Sequence, residues 1–218
     1  MELYLNDKLG KITIEMDESP KASSILIVAH GAGAGMHHFF MKEIAQLISN
    51  EGITVVRFNF PYMEQGRKSP GSPKSNIETW NIVIEHILTM YPEMPIVVSG
   101  KSYGGRMASH LLAEHNFERV KGIIYFGFPL HAPGKDSKDR AQHLCEITLP
   151  QLFLQGSKDK LANLDLMKEV MKSLHKAEIR VIEDADHSFH VPKRSGKTKE
   201  EILLLLATES INWIRTNL

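Results

Sequence analysis

Six short apolar runs, separated by longer stretches with helical periodicity, constrain the fold of this 218-residue chain more than any other feature. This alternation is typical of parallel strands, because a chain that returns to the same sheet edge needs a crossover, usually a helix. The sequence therefore predicts an α/β fold in one domain over residues 1–218, with a mainly parallel sheet and helices on both faces. The predicted strands lie near residues 25–29, 53–58, 95–99, 121–127, 149–154 and 178–182.

The two ends of the chain carry their own local patterns. Apolar and polar side chains alternate on either side of residues 6–10, which begin with Asn6 and end with Gly10, so an N-terminal hairpin is predicted. Near the other end, Thr198 is followed three residues later by Glu201, a spacing typical of a capping box. The last helix is predicted to begin there.

The predicted strand 95–99 leads directly into Gly100-Lys-Ser102-Tyr-Gly104, which has the spacing G-x-S-x-G. Where a strand turns sharply into a helix, the central serine is strained and its hydroxyl is exposed above the sheet edge. Side chains at the two flanking positions would collide, and glycine avoids this. Helical periodicity over residues 103–116 supplies the expected helix. The pattern favours a nucleophile elbow with Ser102 as the nucleophile.

The two glycine-containing segments, around Ser102 and after strand 25–29, could also be read as nucleotide-binding motifs, but neither matches such a motif in full. A phosphate-binding loop ending in Ser102 would need glycine where Pro95 stands. A dinucleotide fingerprint after strand 25–29 would need glycine where Met36 stands, and the next strand leads to Asn59 rather than to an acid. The remaining alternative is a tight turn with an idle serine.

A serine nucleophile needs a base to accept its proton and an acid to orient that base. Asp159 and His187 each follow the end of a predicted strand. The carboxyl ends of parallel strands share the sheet edge at which ligands of open α/β folds bind. We therefore predict that Ser102, His187 and Asp159 are the nucleophile, the base and the acid.

Nearby residues are alternatives for the base and the acid. Asp165 lies in a predicted helix over 162–174, where an exposed carboxylate is usually only solvated. His190 stands three residues farther from its strand than the favoured histidine. Asp184 and Asp186 are predicted to shape the turn through local hydrogen bonds.

Small residues after the first predicted parallel strand suit an oxyanion site. Strand 25–29 ends in His30-Gly-Ala-Gly-Ala-Gly35, which lets the backbone approach a bound acyl group and direct N–H groups at it. We predict that one donor is the N–H of Ala32, with Gly33 as the alternative. The second donor is the N–H of Tyr103, the residue after the nucleophile.

These segments together resemble the α/β-hydrolase superfamily. The resemblance rests on His30-Gly-Ala-Gly, Gly100-Lys-Ser-Tyr-Gly-Gly-Arg106, Gln155-Gly-Ser-Lys-Asp159 and Asp186-His-Ser-Phe. The chain is similar to the compact dienelactone-hydrolase-like group, and within it to the branch of testis-expressed protein 30 and a nonspecific-lethal chromatin-complex subunit. The resemblance implies the α/β-hydrolase fold and the chain order serine, acid, histidine, with no cofactor. Dienelactone hydrolase itself has a cysteine nucleophile where Ser102 stands, so lactone specificity is not implied.

The connections at the predicted catalytic edge bear on access to the site. Residues 129–148 are too few to form the helical lid that many α/β-hydrolases insert, so no large lid is predicted. We expect an open cleft with at most a short helix over 137–145 beside it. Residues 61–74 are rich in Gly and Pro, which predicts an irregular loop facing the same edge.

The charges balance at 26 basic and 26 acidic residues, which gives no reason to expect a nucleic-acid or membrane partner. Nine cations nevertheless fall in three loops that follow strand ends. They predict a basic mouth that attracts an anionic small-molecule acyl substrate. These residues are Arg67, Lys68, Lys74, Lys135, Lys138, Arg140, Lys193, Arg194 and Lys197.

Histidine and cysteine positions do not predict a metal site. The pairs His37 with His38 and His187 with His190 lack a cysteine or carboxylate at ligand spacing, so surface or capping roles are expected. Cys145, the only cysteine, is predicted to be a buried small hydrophobe. No targeting pattern and no membrane-length apolar run occurs, which predicts a cytoplasmic protein.

The sequence thus predicts a serine hydrolase that cleaves a carboxylic ester or thioester through an acyl-enzyme. Its residues would be Ser102, His187 and Asp159, with oxyanion donors at Ala32 and Tyr103. The alternative is a non-catalytic binding or scaffold protein that retains the fold.

Overall fold

One eight-stranded sheet organises the protein, and its computed structural model describes residues 1–218. The strands are β1 (Glu2–Asn6), β2 (Gly10–Asp17), β3 (Ser24–Ala29), β4 (Ile53–Phe58), β5 (Ile96–Lys101), β6 (Val120–Phe126), β7 (Gln151–Gly156) and β8 (Ala177–Ile182). The helices are α1 (Phe39–Ser49), α2 (Pro61–Glu64), α3 (Pro73–Met90), α4 (Tyr103–Glu114), α5 (Leu164–Met171) and α6 (Lys199–Asn217). Two 3₁₀ helices cover Asp139–Glu146 and Lys193–Ser195.

The strand order is β1-β2-β4-β3-β5-β6-β7-β8. Strands β3 to β8 run parallel, while β1 and β2 form an antiparallel hairpin whose second strand pairs antiparallel with β4. The mainly parallel sheet and the N-terminal hairpin are therefore confirmed. Because β4 and β5 lie on opposite sides of β3, the loops after β3 and β5 diverge at the carboxyl edge, where α/β folds open a crevice.

Both faces of the sheet are covered by helices, as predicted. Along β3, Ile25 and Ile27 join one apolar cluster, whereas Leu26 and Val28 join the other, as the two-residue period of a strand requires. Buried side chains of α3, α4 and α5 complete the first cluster, and those of α1 and α6 complete the second. Full burial of each aliphatic side chain contributes about 1.5–3 kcal/mol.

Local hydrogen bonds explain both chain ends. The Asn6 side-chain oxygen accepts the N–H groups of Lys8 at 3.0 Å and Leu9 at 2.9 Å, which closes the hairpin turn. Thr198 Oγ1 accepts the N–H of Glu201 at 3.1 Å, and the Glu201 carboxylate accepts the N–H of Thr198 at 2.7 Å. The predicted capping box is confirmed.

The prediction of an irregular loop over 61–74 is wrong at both ends. Pro61 begins α2 and Pro73 begins α3. Proline is tolerated at a first helical position because the missing N–H has no helical partner there and its φ angle already suits the helix. The segment between the two helices remains irregular.

The prediction that Cys145 is buried is also wrong, since this cysteine is exposed. The 3₁₀ helix Asp139–Glu146 lies on the surface and turns Ala141 and Leu144 inward, which leaves Cys145 facing solvent. This 3₁₀ helix is the only helix between β6 and β7, so no lid domain is inserted there. None of the protein's helices is long and apolar enough to cross a bilayer.

Candidate active site

The junction of β5 and α4 holds Ser102 in a strained backbone conformation. Its φ is 51° and its ψ is −113°, between a strand that ends at Lys101 and a helix that begins at Tyr103. A non-glycine residue in such a region costs of order 1–3 kcal/mol and persists only where the surrounding structure holds it. The predicted strand-turn-helix elbow is thus present, with its serine strained.

Close backbone packing accounts for the glycines that flank the elbow. A Cβ added at Gly100 would lie 2.1 Å from the nitrogen of Gly105. A Cβ added at Gly104 would lie 2.6 Å from the carbonyl oxygens of Ala29 and His30. Any side chain at either position would push α4 away from the strand ends, so only glycine lets the helix turn this tightly.

A chain of hydrogen bonds connects the three residues predicted to be the nucleophile, base and acid. His187 Nδ1 lies 2.6 Å from Asp159 Oδ2, and His187 Nε2 lies 2.8 Å from Ser102 Oγ. An ionised carboxylate only accepts hydrogen bonds, so Nδ1–H donates to Asp159. Nε2 is then left to accept the hydroxyl proton of Ser102. This tautomer suits an imidazole that acts as a base toward serine.

Asp159 is fixed by further donors beneath the sheet edge. Its side chain is 0% exposed, and its Oδ1 accepts the N–H of Leu161 at 2.7 Å. The Gln155 amide nitrogen donates to Oδ2 at 2.6 Å, while the Gln155 amide oxygen accepts the N–H of Phe128 at 2.9 Å. No motif in the sequence assigns Gln155 this role, although a polar residue near the end of a largely apolar strand indicates a buried polar partner.

The loop that carries His187 is a tight turn closed by Asp186. Asp186 Oδ1 accepts the N–H groups of Ser188 at 2.8 Å and His190 at 2.9 Å, so the predicted turn-shaping role of Asp186 is confirmed. Asp184 differs from the prediction, because its carboxylate makes no hydrogen bond. It has a φ of 60°, and its N–H donates to a neighbouring serine hydroxyl.

The alternatives for base and acid lie away from Ser102. Asp165 is on α5, where its exposed carboxylate lies 3.3 Å from Lys168 Nζ. His190 is exposed, and its Nδ1 lies 3.8 Å from Asp186 Oδ2. Neither side chain contacts the serine.

Lys101, the residue before the nucleophile, contacts the histidine loop. Its ammonium donates a hydrogen bond to the carbonyl of His187 and lies 5.0 Å and 5.9 Å from the ring centroids of Phe189 and Phe40. Burial lowers the pKa of Lys101 to about 8, and the charge of Asp159 opposes this shift. In the sequence, this lysine stands out only as part of the rejected phosphate-binding motif. Its tertiary contact joins the elbow to the base.

Two backbone N–H groups beside Ser102 lack acceptors in the protein, those of Ala32 and Tyr103. The loop that bears Ala32 passes close to the nucleophile, since a Cβ added at Gly31 would lie 3.7 Å from Ser102 Cβ. Tyr103 is the first residue of α4, where N–H groups have no helical partner. Both predicted oxyanion donors thus have unused hydrogen-bonding capacity, one on a loop that passes close to the serine and one directly after the serine.

Gly33, the alternative donor, does not line the cavity beside Ser102, whereas Ala32 does. This placement favours Ala32 over Gly33.

His30 anchors the start of this loop. It is fully buried, with Nδ1–H donating to the carbonyl of Gly31 at 2.8 Å and Nε2 accepting the N–H of Phe60 at 3.1 Å. Burial lowers the pKa of His30 to about 4. The neutral imidazole satisfies both contacts, whereas the protonated ring could not accept the Phe60 N–H.

We expect His30 to lower the free energy of unfolding by up to about 3 kcal/mol as pH falls from about 7 to about 4. Its folded pKa of about 4 is below the ordinary value of 6.5, so the unfolded chain takes up the proton first and acid favours unfolding. Urea titrations across this range measure the loss. His30→Gln, whose amide can replace both hydrogen bonds without titrating, should lose less stability. An equal loss in the variant would assign the effect to other groups.

The pair His37 and His38 has structural contacts. His38 Nδ1 caps α1 by accepting the N–H of Phe40 at 3.3 Å, and His37 Nδ1 lies 3.6 Å from a carboxylate oxygen of Glu15. No group of three or more His, Cys, Asp or Glu side chains is arranged to hold a metal ion.

A cavity of about 450 Å³ opens beside Ser102 and His187. Its walls come from the loop after β3, the first residues of α1 and α6, and the loop after β8. The 3₁₀ helix Asp139–Glu146 contributes no residue to it, nor does any of the nine loop cations predicted to form a basic mouth. No local pattern in the sequence predicts that α1 and α6 form one wall of this cavity.

Comparisons with known proteins agree with this fold. A family model described as alpha/beta hydrolase domain matches residues 22–215. A dienelactone hydrolase from Anabaena variabilis superposes with a TM-score of 0.79 at 16% identity, covering 100% of this chain and 96% of that one. An alpha-beta serine hydrolase homologue from Coxiella burnetii gives 0.77 at 17%, covering 97% and 96%. A serine hydrolase without lid from Xanthomonas campestris gives 0.68 at 19%, covering 96% and 94%.

Proposed function

This chain belongs to the alpha/beta hydrolase domain family, and we propose that it is a serine-dependent acyl hydrolase that cleaves a carboxylic ester or thioester. The observation that carries the proposal is the hydrogen-bond chain from Asp159 through His187 to Ser102, which ends on a strained serine at a cavity. A scaffold gains nothing from a strained serine aligned with a base. Structural neighbours described as esterases occur at low identity.

In the acylation step, Ser102 Oγ attacks the substrate carbonyl while His187 Nε2 takes up the hydroxyl proton. The imidazolium that forms is stabilised by the Asp159 carboxylate, 2.6 Å from its other nitrogen. Negative charge develops on the carbonyl oxygen of the tetrahedral intermediate. The free N–H groups of Ala32 and Tyr103 can stabilise this charge by donating hydrogen bonds to the oxyanion.

To complete acylation, His187 returns the proton to the departing alcohol or thiol, and the acyl group remains on Ser102. The imidazole then activates a water molecule, which attacks the acyl-enzyme and releases the acid. Alcohols and thiols leave more readily than amines, which require stronger protonation. We therefore propose an ester or thioester rather than an amide.

Labelling with a fluorophosphonate probe tests the proposal. We expect the probe to modify the protein covalently, and peptide mapping to locate the modification on Ser102. Both Ser102→Ala and His187→Ala should abolish the labelling. A matched control is Ser157→Ala, which removes the hydroxyl of a serine that contacts Glu183 and Asp184 rather than an imidazole. It should still be labelled. Folded protein that the probe does not modify would support the scaffold alternative.

Finer assignments also remain proposals. The motifs around Gly100–Arg106 and Asp186–Phe189 support placing the chain in the branch of testis-expressed protein 30. A cytoplasmic location and the absence of nucleic-acid and membrane partners stay predictions from composition.

A further inference from the structure

The cavity beside Ser102 carries positively charged groups and no negatively charged ones. Its seventeen lining residues include Lys101 and Lys199. None of the seventeen is an aspartate or a glutamate. The charges of Asp159 and Asp186 act on Lys101 from behind the wall, so Lys199 is the cation that an anionic ester bound there would meet.

Lys199 is held at this wall by an aromatic ring rather than by a carboxylate. Its Nζ lies 3.5 Å from the ring centroid of Phe39, and it forms none of the protein's ion pairs. A cation over a ring face is attracted by the ring quadrupole without being neutralised. Lys199 therefore presents an available charge to a ligand.

The amino end of helix α1 reinforces this charge. Helix α1 begins at Phe39 with no acidic residue in its first turn. The positive end of a helix dipole favours anions nearby. The amino end of α6 adds no such contribution, because Glu200 and Glu201 lie in its first turn and Glu201 closes the capping box.

About half of the wall is apolar. Nine of the seventeen lining residues are hydrophobic, among them Met41 from α1 and Ile202 and Leu203 from α6. A volume of about 450 Å³ is suited to a small organic molecule. The wall thus combines an apolar surface with a cation, Lys199, at the start of α6.

We infer that the substrate is an anionic ester or thioester, with an apolar segment that separates the scissile carbonyl from a carboxylate or phosphate group bound by Lys199. This inference rests on the proposed function and specifies its substrate class. It also differs from the prediction made from the sequence. That prediction assigned the cationic site to nine loop residues, and Lys199 was not among them.

A matched pair of substrates tests the inference. 4-Nitrophenyl hydrogen adipate ends in a carboxylate, and 4-nitrophenyl methyl adipate has the same chain with that charge masked. We expect kcat/KM to be roughly tenfold or more higher for the anion. The ratio should shrink as ionic strength rises from about 0.01 M to about 1 M, where the Debye length shortens from about 30 Å to about 3 Å. An analogue ending in phosphonate shows which anion is preferred.

Variants locate the charge. Lys199→Met should bring the ratio close to one, whereas Lys199→Arg, which keeps the charge, should retain most of it. Lys193→Met is the matched control, since Lys193 is a loop cation on the neighbouring 3₁₀ helix and does not line the cavity. It should leave the ratio unchanged. If Lys193→Met removed the preference and Lys199→Met did not, Lys199 would not be the anion site.

Binding measurements separate this inference from the proposed function. Calorimetric titration of Ser102→Ala with each ester gives a Kd ratio that needs no turnover, and tighter binding of the anion supports the inference. Equal affinities overturn it, as do equal kcat/KM values in the active protein. Turnover of both esters at equal rates would leave the proposed hydrolase intact. Preferential binding of the anion without any turnover or probe labelling would refute the hydrolase and retain the anion site.

Discussion

Replacing Ser102 or His187 with alanine is expected to lower esterase turnover by roughly 10⁴-fold or more in each case. Nucleophile and base act as a unit, joined here by a 2.8 Å hydrogen bond, so losing either one removes nearly the whole effect. Purified variants assayed with a 4-nitrophenyl ester measure the loss. The double variant should be scarcely slower than either single variant, because the two residues serve the same step.

Folding and the choice of base need separate checks. Circular dichroism and thermal unfolding should show intact proteins, since Ser102→Ala removes only a hydroxyl group and His187 lies at the edge of the sheet. The neighbouring histidine, His190, is exposed and contacts Asp186 instead of the serine. If His187→Ala kept the wild-type rate while His190→Ala lost it, the base would be His190, and the observed hydrogen-bond chain would not be the catalytic arrangement.

Asp159→Asn is expected to preserve the geometry and lower turnover by as much as roughly 10⁴-fold. The carboxylate accepts the Nδ1 proton of His187, whereas an amide nitrogen at the same place would donate to Nδ1 and force the proton onto Nε2. The imidazole would then be unable to accept the proton of Ser102. Comparison of kcat for wild type and variant measures this effect.

The matched control is Asp184→Asn, the same change on the loop that carries the base. Asp184 shapes that loop through its φ of 60° and its N–H, and its carboxylate has no hydrogen-bond partner. Asparagine tolerates the left-handed region, so turnover should change little. A large loss in Asp184→Asn with little loss in Asp159→Asn would reverse the assignment of the acid.

The fold could be predicted from local patterns because those patterns reflect which faces are buried. Apolar runs such as β3 and β5 are buried on both sides, which makes them continuous rather than alternating. The elbow is local as well, since strand, glycine spacing and helix lie within residues 95–116 and backbone sterics dictate the rest. Solvent exposure was harder to predict, as Cys145 shows. Whether Cys145 faces solvent depends on which side of its surface 3₁₀ helix packs against the rest of the protein.

Local sequence patterns were sufficient to predict the class of fold, the strained serine, and the strand ends from which a base and an acid could come. Each of these follows from periodicity or from steric limits over a few residues.

The contacts between distant side chains depend on the three-dimensional packing of the chain. Ser102 and His187 are 85 positions apart, and Asp159 lies 28 positions before His187. Their contact depends on how the ends of β5, β7 and β8 align. The same alignment places Lys101 against the histidine loop and Lys199 beside the cavity, because packing of α1 and α6 on one sheet face sets where those charges lie.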